Sequence, residues 1–348
     1  MLKKIIGFAV VVMLIFTASV GLCATKEISN LVDVDFVASK IGDPNWVILD
    51  GRSQSEYDEG HIPGAVTYGQ PVVGVLKNPH DGQVKSPEEL AKLLGQIGVS
   101  NSKGLIVYGK KADFHVLTEM SPVYVGLDNY NYLDGGFNAW VDADKKVQTK
   151  SNKPKAATFK VKEVREDMYI STQKLMELVN NHTPNLTIID VRSAAEFNAT
   201  AVQSLRGGTI PGAIHIPHNM PIDSKTGKFK SIKELEKIYG DIPKDNIVVF
   251  YCHRGCRTAY TYMALKSLGF KNAKNYEEGW IVWGNRLDTP IANEHYRNMR
   301  GIDKKIQYLL EKVDELESKL EVGTKVKTGA NKSKKAPKKS GGSMMQGC

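Results

Sequence analysis

Cysteine is scarce in this chain. The sequence has 348 residues and 4 cysteines, at positions 23, 252, 256 and 348. So few cysteines argue against a disulfide-stapled fold, and the spacing of Cys252 and Cys256 is neither that of a zinc ribbon nor the Cys-x-x-Cys of thioredoxin-like proteins. Chemistry at one of these thiols therefore explains their positions better than crosslinking does.

A basic surface is also missing, although the formal net charge is +9. Lys3, Lys4 and the seven lysines of residues 323–348, a segment without acidic residues, account for the whole excess of 47 basic over 38 acidic residues. The remainder is balanced, so we predict no nucleic-acid partner. The tail at 323–348 is predicted to be disordered, and its lysines would suit an acidic partner or an anionic membrane surface.

Long apolar runs are absent except at the start of the chain. Lys3 and Lys4 precede the apolar residues 5–22, and Ala24 is small enough for signal-peptidase cleavage. We predict a signal peptide over 1–24 and export, with a bacterial periplasm as the destination. An uncleaved membrane anchor is the alternative, because the run is nearly long enough to span a bilayer.

Two segments of the chain share one pattern. "WVILDGRSQSEYDEGHIPGAV" begins at Trp46, and "LTIIDVRSAAEFNATAVQSLRGGTIPGAIHIP" begins at Leu186. Each contains an apolar run, Asp-x-Arg, a Glu-aromatic pair and Ile-Pro-Gly-Ala. The matching residues lie 140 to 148 positions apart, which indicates a duplicated domain, since the repeats of solenoids span about 20–50 residues.

Short apolar runs alternate with helical patterns in both copies. Ser86 and Pro87 fit the N-cap and first position of one helix, and residues 171–181 fit another. This alternation predicts an α/β fold in which each domain has a mainly parallel sheet covered by helices. The predicted boundaries are 25–148 for the first domain, 149–168 for a polar linker and 169–295 for the second domain.

The two central cysteines lie where a strand is predicted to end and a helix to begin. The apolar run 247–251 stops at Cys252, and a short loop leads into the next helical pattern. In such a loop the backbone N–H groups of 253–258 and the positive end of the helix dipole can face an anion.

The side chains of this loop strengthen that interpretation. Arg254 and Arg257 bring positive charge, which favours the thiolate and makes Cys252 the candidate nucleophile. Gly255 permits a backbone conformation that other residues resist. The alternative is a buried structural cysteine beside two surface arginines, which the flanking strand, helix and repeated framework disfavour.

These motifs resemble those of tandem-domain rhodaneses, which are thiosulfate sulfurtransferase-like proteins. The resemblance covers residues 30–290 and rests on Asp190-Val191-Arg192 with Glu196-Phe197, Ile210-Pro211-Gly212-Ala213, the loop from Cys252 to Thr258, and Gly279-Trp280 with Trp283. It implies that Cys252 attacks a sulfane-sulfur donor, holds the outer sulfur as a persulfide and passes it to cyanide or a thiol. We predict neither a cofactor nor a metal site.

The substrate is expected to bind to the loop that contains Cys252. The predicted substrate-binding residues are His253, Arg254, Gly255, Cys256, Arg257 and Thr258. Four residues separate Cys252 from Arg257, whereas cysteine phosphatases have five, so the smaller loop suits a terminal sulfur atom better than a phosphoryl group. Cationic His253 and Arg254 are expected to favour thiosulfate or polysulfide over mercaptopyruvate.

Several positions differ from the family pattern or between the copies. Gly109 stands where the second copy has Cys252, and the resemblance implies an inactive first domain that packs against the active one. Glu196 stands where mammalian thiosulfate enzymes carry an extra arginine. Asp190 and Arg192 are interpreted as a structural pair that supports the loop, with direct substrate contact as the alternative.

Two other functions remain open at this point. One is a thiol–disulfide switch between Cys252 and Cys256, and the other is a non-catalytic sulfur-binding or scaffold protein. A thiosulfate:cyanide assay separates both from a sulfurtransferase.

The C-terminal extension combines a helical pattern with the lysine-rich tail. Apolar residues at 302, 306, 309, 313, 316 and 320 form a heptad seam, which predicts an amphipathic helix over 296–322. The seam is under three heptads long, so it does not by itself predict a stable autonomous coiled coil. The helix is expected either to pack against its own domain or to self-associate through 302–320. The terminal Cys348 is a candidate sulfur acceptor or interchain crosslink, with an inert tail as the alternative.

Overall fold

A computed structural model describes residues 30–78, 83–111 and 121–325. Its strands are β1 Leu31–Val32, β2 Trp46–Asp50, β3 Val66–Thr67, β4 Gly104–Tyr108, β5 Tyr130–Leu133, β6 Leu186–Asp190, β7 Arg206–Thr209, β8 Ala213–His215, β9 Ile247–Tyr251, β10 Ala273–Tyr276 and β11 Ala292–Tyr296. Helices span Val34–Ser39, Gln54–Glu59, Val72–Leu76, Pro87–Gln96, Ser121–Tyr124, Gly136–Asp142, Thr172–Asn180, Ala194–Phe197, Ile232–Tyr239, Ala259–Ser267, Gly279–Trp283 and Met299–Lys325, with a 3₁₀ turn at Glu166–Met168.

The first copy of the repeat forms a parallel sheet in the order β1-β5-β4-β2-β3. The central strands β2 and β4 are buried apolar runs, as expected of parallel strands covered on both faces. Ser86 caps the helix Pro87–Gln96 through Glu89, and Pro87 occupies its first turn.

The second copy forms a parallel sheet in the order β10-β9-β6-β8, and an antiparallel pair of β7 and β11 lies beside it. The register aligns Asp190 at the end of β6 with Tyr251 at the end of β9. The predicted α/β class with two mainly parallel, helix-covered sheets is confirmed.

The two copies pack into one another through a shared apolar cluster. It contains Leu127 and Tyr130 from the first copy and Tyr260 and Met263 from the second. The segment predicted as a linker is ordered along the first copy, because Phe159 is buried and the amide of Ala157 donates to the carbonyl of Gly95. The polar composition of this segment had not indicated that packing.

The C-terminal helix is shifted from its predicted bounds of 296–322. Residues 292–296 form β11, whose Tyr296 pairs with Arg206 of β7, so the helix begins at Met299 and ends at Lys325. The described seam residues Ile306, Leu309, Val313 and Leu316 are exposed, so the expected packing of this seam against its own domain is wrong.

Three predictions fall on segments that the structure does not describe. The signal peptide over 1–24, the tail at 323–348 beyond Lys325, and the predicted roles of Cys348 lie outside the described residues. Among the helices that are described, none has the length and apolar character needed to cross a membrane.

Candidate active site

Cys252 lies at the carboxyl end of β9, in the middle of the second sheet. Parallel neighbours on either side bring Asp190 and Tyr276 to the same edge, the edge at which open α/β sheets bind ligands. Cys252 is 1% exposed, so it is almost completely shielded from solvent.

The helix Gly279–Trp283 fixes the backbone of the cysteine loop. The amide of Trp280 donates to the carbonyl of Cys252 at 2.9 Å, and the amide of Ile281 donates to that of His253 at 2.9 Å. Gly279 has a φ of +59°, and a Cβ atom there would lie 2.7 Å from the carbonyl oxygen of His253. The close approach that holds Cys252 in place therefore requires glycine at 279.

Gly255 allows the loop to turn over the segment that follows β10. Its φ is +70°, and an added Cβ atom would lie 2.7 Å from the carbonyl oxygen of Glu277. Thr258 Oγ1 and, more weakly, Asn275 Nδ2 donate to the carbonyl of Gly255. These contacts hold the turn in one conformation and orient its amides.

Polar atoms of the loop are left for a ligand. Within the described residues, the backbone N–H groups of 253–255 donate to no acceptor. His253 Nδ1, Arg254 Nε and Arg257 Nε are buried and likewise lack a described hydrogen-bond partner. Because buried polar groups are normally satisfied, this cluster around Cys252 is suited to an anion.

Asp190 and Arg192 stabilise the loop that contains Cys252. Arg192 Nη2 pairs with Asp190 Oδ2 at 2.6 Å, and both side chains are buried. The guanidinium carbon of Arg192 lies 4.2 Å from the centroid of Trp280, and the amide of Trp280 holds the carbonyl of Cys252. The pair therefore supports Cys252 through Trp280, in keeping with its interpretation as structural.

Arg257 is held by Glu196 in a buried bidentate ion pair, with N–O distances of 2.7 and 2.9 Å. Burial favours the neutral acid, but the hydrogen bonds and charge of Arg257, together with hydrogen bonds from Ser193, lower the pKa of Glu196 to about 2. Burial by itself would lower the pKa of Arg257. The interactions of its guanidinium with Glu196 and with the nearby Cys252 are larger than this effect, so the pKa of Arg257 is raised. Part of the charge of Arg257 is thus already neutralised.

His253 does not carry the positive charge expected of it. Burial, followed by repulsion from Arg254, lowers the pKa of His253 to about 4. The imidazole is therefore neutral at pH 7, and the expectation of a cationic His253 is wrong. Sequence alone could not show this, because the shift depends on burial beneath neighbouring loops. Arg254, which is partly exposed, is then the main source of uncompensated charge.

We expect His253→Gln to leave the dependence of KM on ionic strength unchanged at pH 7, because a neutral side chain replaces a neutral side chain. Between pH 6.5 and 4 the histidine is protonated in the unfolded chain but stays neutral in the folded protein, so the free energy of unfolding of the wild type decreases as the pH falls. The substitution should remove this contribution to the pH dependence of the free energy of unfolding. Thiosulfate kinetics at two salt concentrations and urea unfolding across this pH range provide the measurements. A KM that loses its salt dependence in the variant would show a cationic His253.

Cys256 lies in the same loop as Cys252. It is buried, and its Sγ lies 3.6 Å from the carbonyl oxygen of Arg254. Cys252 and Cys256 are both thiols in this structure. Cys256 is thus a buried residue of the turn, four positions after the candidate nucleophile.

The first copy reproduces the scaffold of this site without its thiol. Phe137 donates its amide to the carbonyl of Gly109, as Trp280 does to Cys252. Arg52 pairs with Asp50 at 2.6 Å and lies over the ring of Phe137, at 4.0 Å from its centroid. The duplicated fold has thus kept the supporting contacts where Gly109 replaces the cysteine.

One residue of the first copy reaches the base of the active loop. Lys77 Nζ lies 2.8 Å from Glu277 Oε1, with side-chain exposures of 4% and 9%. Glu277 is the residue whose backbone lies against Gly255. This contact could not be predicted from the sequence, because neither residue belongs to a motif and the two residues meet across the domain boundary.

This chain is similar to other proteins in both sequence and structure. The family profile described as Rhodanese-like domain matches residues 33–143 and 171–286. A thiosulfate sulfurtransferase of Corynebacterium glutamicum is 30% identical over 283 residues, covering 77% of this chain and 92% of that protein. A 3-mercaptopyruvate sulfurtransferase of Escherichia coli is 29% identical over 276 residues, covering 75% and 96% respectively.

Among solved structures, an anaerobic ergothioneine biosynthesis enzyme from Chlorobium limicola superimposes with a TM-score of 0.67 at 20% identity, covering 75% of this chain and 69% of that one. At this level of identity the likeness concerns the fold alone. The two relatives described above are named for sulfur transfer from two different donors, thiosulfate and 3-mercaptopyruvate.

Proposed function

We propose that this chain, which belongs to the rhodanese-like domain family, is a sulfurtransferase that uses a persulfide on Cys252. It takes sulfane sulfur from thiosulfate or polysulfide and passes it to a thiophilic acceptor. The observation that supports this proposal is that three buried side-chain nitrogens in the loop of Cys252, His253 Nδ1, Arg254 Nε and Arg257 Nε, have no described hydrogen-bond partner. The names of the relatives support sulfur transfer in general, and the choice of donor rests on the charge of this loop.

The reaction divides into two displacements at sulfur. The thiolate of Cys252 attacks the outer sulfur of thiosulfate, the S–S bond of the donor breaks, and sulfite leaves with the bonding electron pair. The acceptor, cyanide or a thiolate, then attacks the outer sulfur of the persulfide. The bond between the two sulfurs of the persulfide breaks, and the thiolate of Cys252 is regenerated without a net oxidant.

Each neighbouring group has a role in this scheme. The amides of 253–255 and the Nε of Arg254 are placed to hold the anionic donor, and Arg257, oriented by Glu196, stabilises charge on the sulfur of Cys252. Gly255, Cys256 and Thr258 shape the turn. Asp190 and Arg192 hold the loop and do not contact the donor.

The test measures thiocyanate formation by the full mature chain in the presence of thiosulfate and cyanide. The proposal expects multiple turnovers, with sulfite released in equal amount. A protein that instead shows a disulfide between Cys252 and Cys256 at rest and no thiocyanate would be a redox switch, and one with neither would be a scaffold. Turnover with mercaptopyruvate but not with thiosulfate would contradict the proposed donor.

Arg254→Ala is expected to raise the KM for thiosulfate by roughly three- to tenfold at low ionic strength and by less at high ionic strength, because salt screens the attraction of a partly exposed charge. The value of kcat should change little, since the reacting sulfur is held by other groups. Steady-state kinetics at low and high salt measure the effect. If KM at low salt equals that of the wild type, Arg254 does not bind the donor.

Two further features belong to the proposal. We infer that the first copy is not catalytic, because Gly109 stands where the nucleophile would be. Export by cleavage after residue 24 rests on the sequence of the N-terminal segment.

A further inference from the structure

The C-terminal helix carries an apolar stripe that its own domain leaves uncovered. Ile306, Leu309, Val313 and Leu316 are 48%, 51%, 49% and 58% exposed. These residues are spaced by three and four positions, so they lie on one side of the helix and continue the sequence pattern that runs from 302 to 320. A stripe of this kind is the contact surface of a coiled coil.

The residue types on the stripe select one kind of partner. In heptad notation, Ile306 and Val313 occupy a positions, and Leu309 and Leu316 occupy d positions. The two terminal residues of the seam reverse this pattern, with isoleucine at a d position and leucine at an a position, so only the four central residues carry the preference. β-branched residues at a combined with leucine at d favour two parallel strands over three or four, because each shape fits the knobs-into-holes geometry of a parallel dimer. The stripe is thus complementary to a second copy of itself.

The charges that flank the stripe indicate the same arrangement. Lys312 and Lys319 occupy g positions, and Glu317 occupies an e position. In a parallel pair, Lys312 of one chain faces Glu317 of the other. An antiparallel pair would instead place the lysines at g beside those of the second chain, so the charges favour the parallel orientation.

We propose that two copies of this chain associate through the helix Met299–Lys325 as a parallel, two-stranded coiled coil. The symmetric dimer places the same face of each helix against its counterpart. This inference does not depend on the sulfur-transfer function, because no residue of the stripe belongs to the active site. It identifies the partner of the exposed stripe as a second copy of the protein.

The first experiment measures the mass of the full mature chain in solution by light scattering or sedimentation. The wild type is expected to be a concentration-dependent dimer in the micromolar range, since the seam is short. Leu316→Glu buries a charge at a d position of the seam and should leave the protein monomeric. Ser318→Glu introduces the same side chain two residues away on the outer face, at an f position, and should leave the dimer intact.

The second experiment tests orientation by exchanging charges. Lys312→Glu should weaken the parallel dimer by roughly five- to tenfold, because glutamate then faces Glu317 of the other chain in both symmetric contacts. Adding Glu317→Lys should restore the affinity. Lys312 also pairs with Glu315 within its own helix at 2.6 Å, and the double exchange does not restore that pair, so recovery reports the contact between chains.

Four results would overturn the proposal. These are a wild-type chain that stays monomeric to the highest soluble concentration, a trimer or tetramer, a Leu316→Glu variant that remains dimeric, and a Lys312→Glu variant that associates more tightly than the wild type, as an antiparallel pair would. Binding of the monomer to anionic lipid vesicles that is lost in Leu316→Glu would assign the stripe to a membrane surface instead.

Discussion

We expect Cys252→Ser to lower the rate of thiocyanate formation by roughly three orders of magnitude or more. A serine hydroxyl fits the space of the thiol but is a far weaker nucleophile toward sulfur and cannot hold a sulfane sulfur. Thiosulfate:cyanide turnover measures the loss, and a thermal unfolding curve close to that of the wild type shows that the loop is still folded.

Cys256→Ser provides the matched control for this prediction. Cys256 lies in the same loop and is equally buried, but its Sγ points to the carbonyl oxygen of Arg254. Its substitution should retain most of the turnover. Substantial activity in Cys252→Ser, or an equal loss in both variants, would place the reacting sulfur elsewhere.

The second large effect is expected at the ion pair between the domains. Lys77→Met removes the cation and leaves the carboxylate of Glu277 buried without its partner, which typically costs about 3–5 kcal/mol of folding free energy. Because the backbone of Glu277 packs against Gly255, we also expect a fall in kcat. Urea unfolding and steady-state kinetics of the same preparation measure the two effects.

A double-mutant cycle separates the ion pair from the rest of the interface. Lys77→Met combined with Glu277→Gln removes the stranded charge and should recover much of the stability and of kcat. Lys111→Met is the control at the same boundary, because half-exposed Lys111 donates to the carbonyl of Lys225 in the second copy, and its loss should cost at most about 1 kcal/mol. Equal effects of Lys77→Met and Lys111→Met would show that the buried pair has no special role.

Local sequence signals predicted the fold and the place of the site. The apolar run that ends at Tyr251 became β9, and the repeated Asp-x-Arg and Pro-Gly motifs became equivalent parts of two sheets. Gly255 has a positive φ, as its place in the loop suggested. These features depend on residues close together in the chain or on a pattern present twice, so they can be interpreted without coordinates.

Burial and long-range pairing could not be predicted in this way. The protonation of His253 depends on how deeply the loop is covered, and the charge of Arg257 depends on Glu196, 61 residues earlier in the chain. Lys77 and Glu277 meet across the domain boundary, although nothing in either local sequence indicates it. Each of these effects is electrostatic and acts through space, so it appears when the fold brings the groups together.

The central claim, that sulfur is carried on Cys252, is tested most directly by mass spectrometry of single-turnover samples. The full chain is treated with thiosulfate, its thiols are trapped by alkylation, and the peptides containing Cys252, Cys256 and Cys348 are compared before and after cyanide is added. The account predicts a gain of about 32 Da, one sulfur atom, on the peptide at Cys252 alone before cyanide, and its disappearance in step with thiocyanate formation. Turnover without that added sulfur, or its first appearance on another cysteine, would contradict the account.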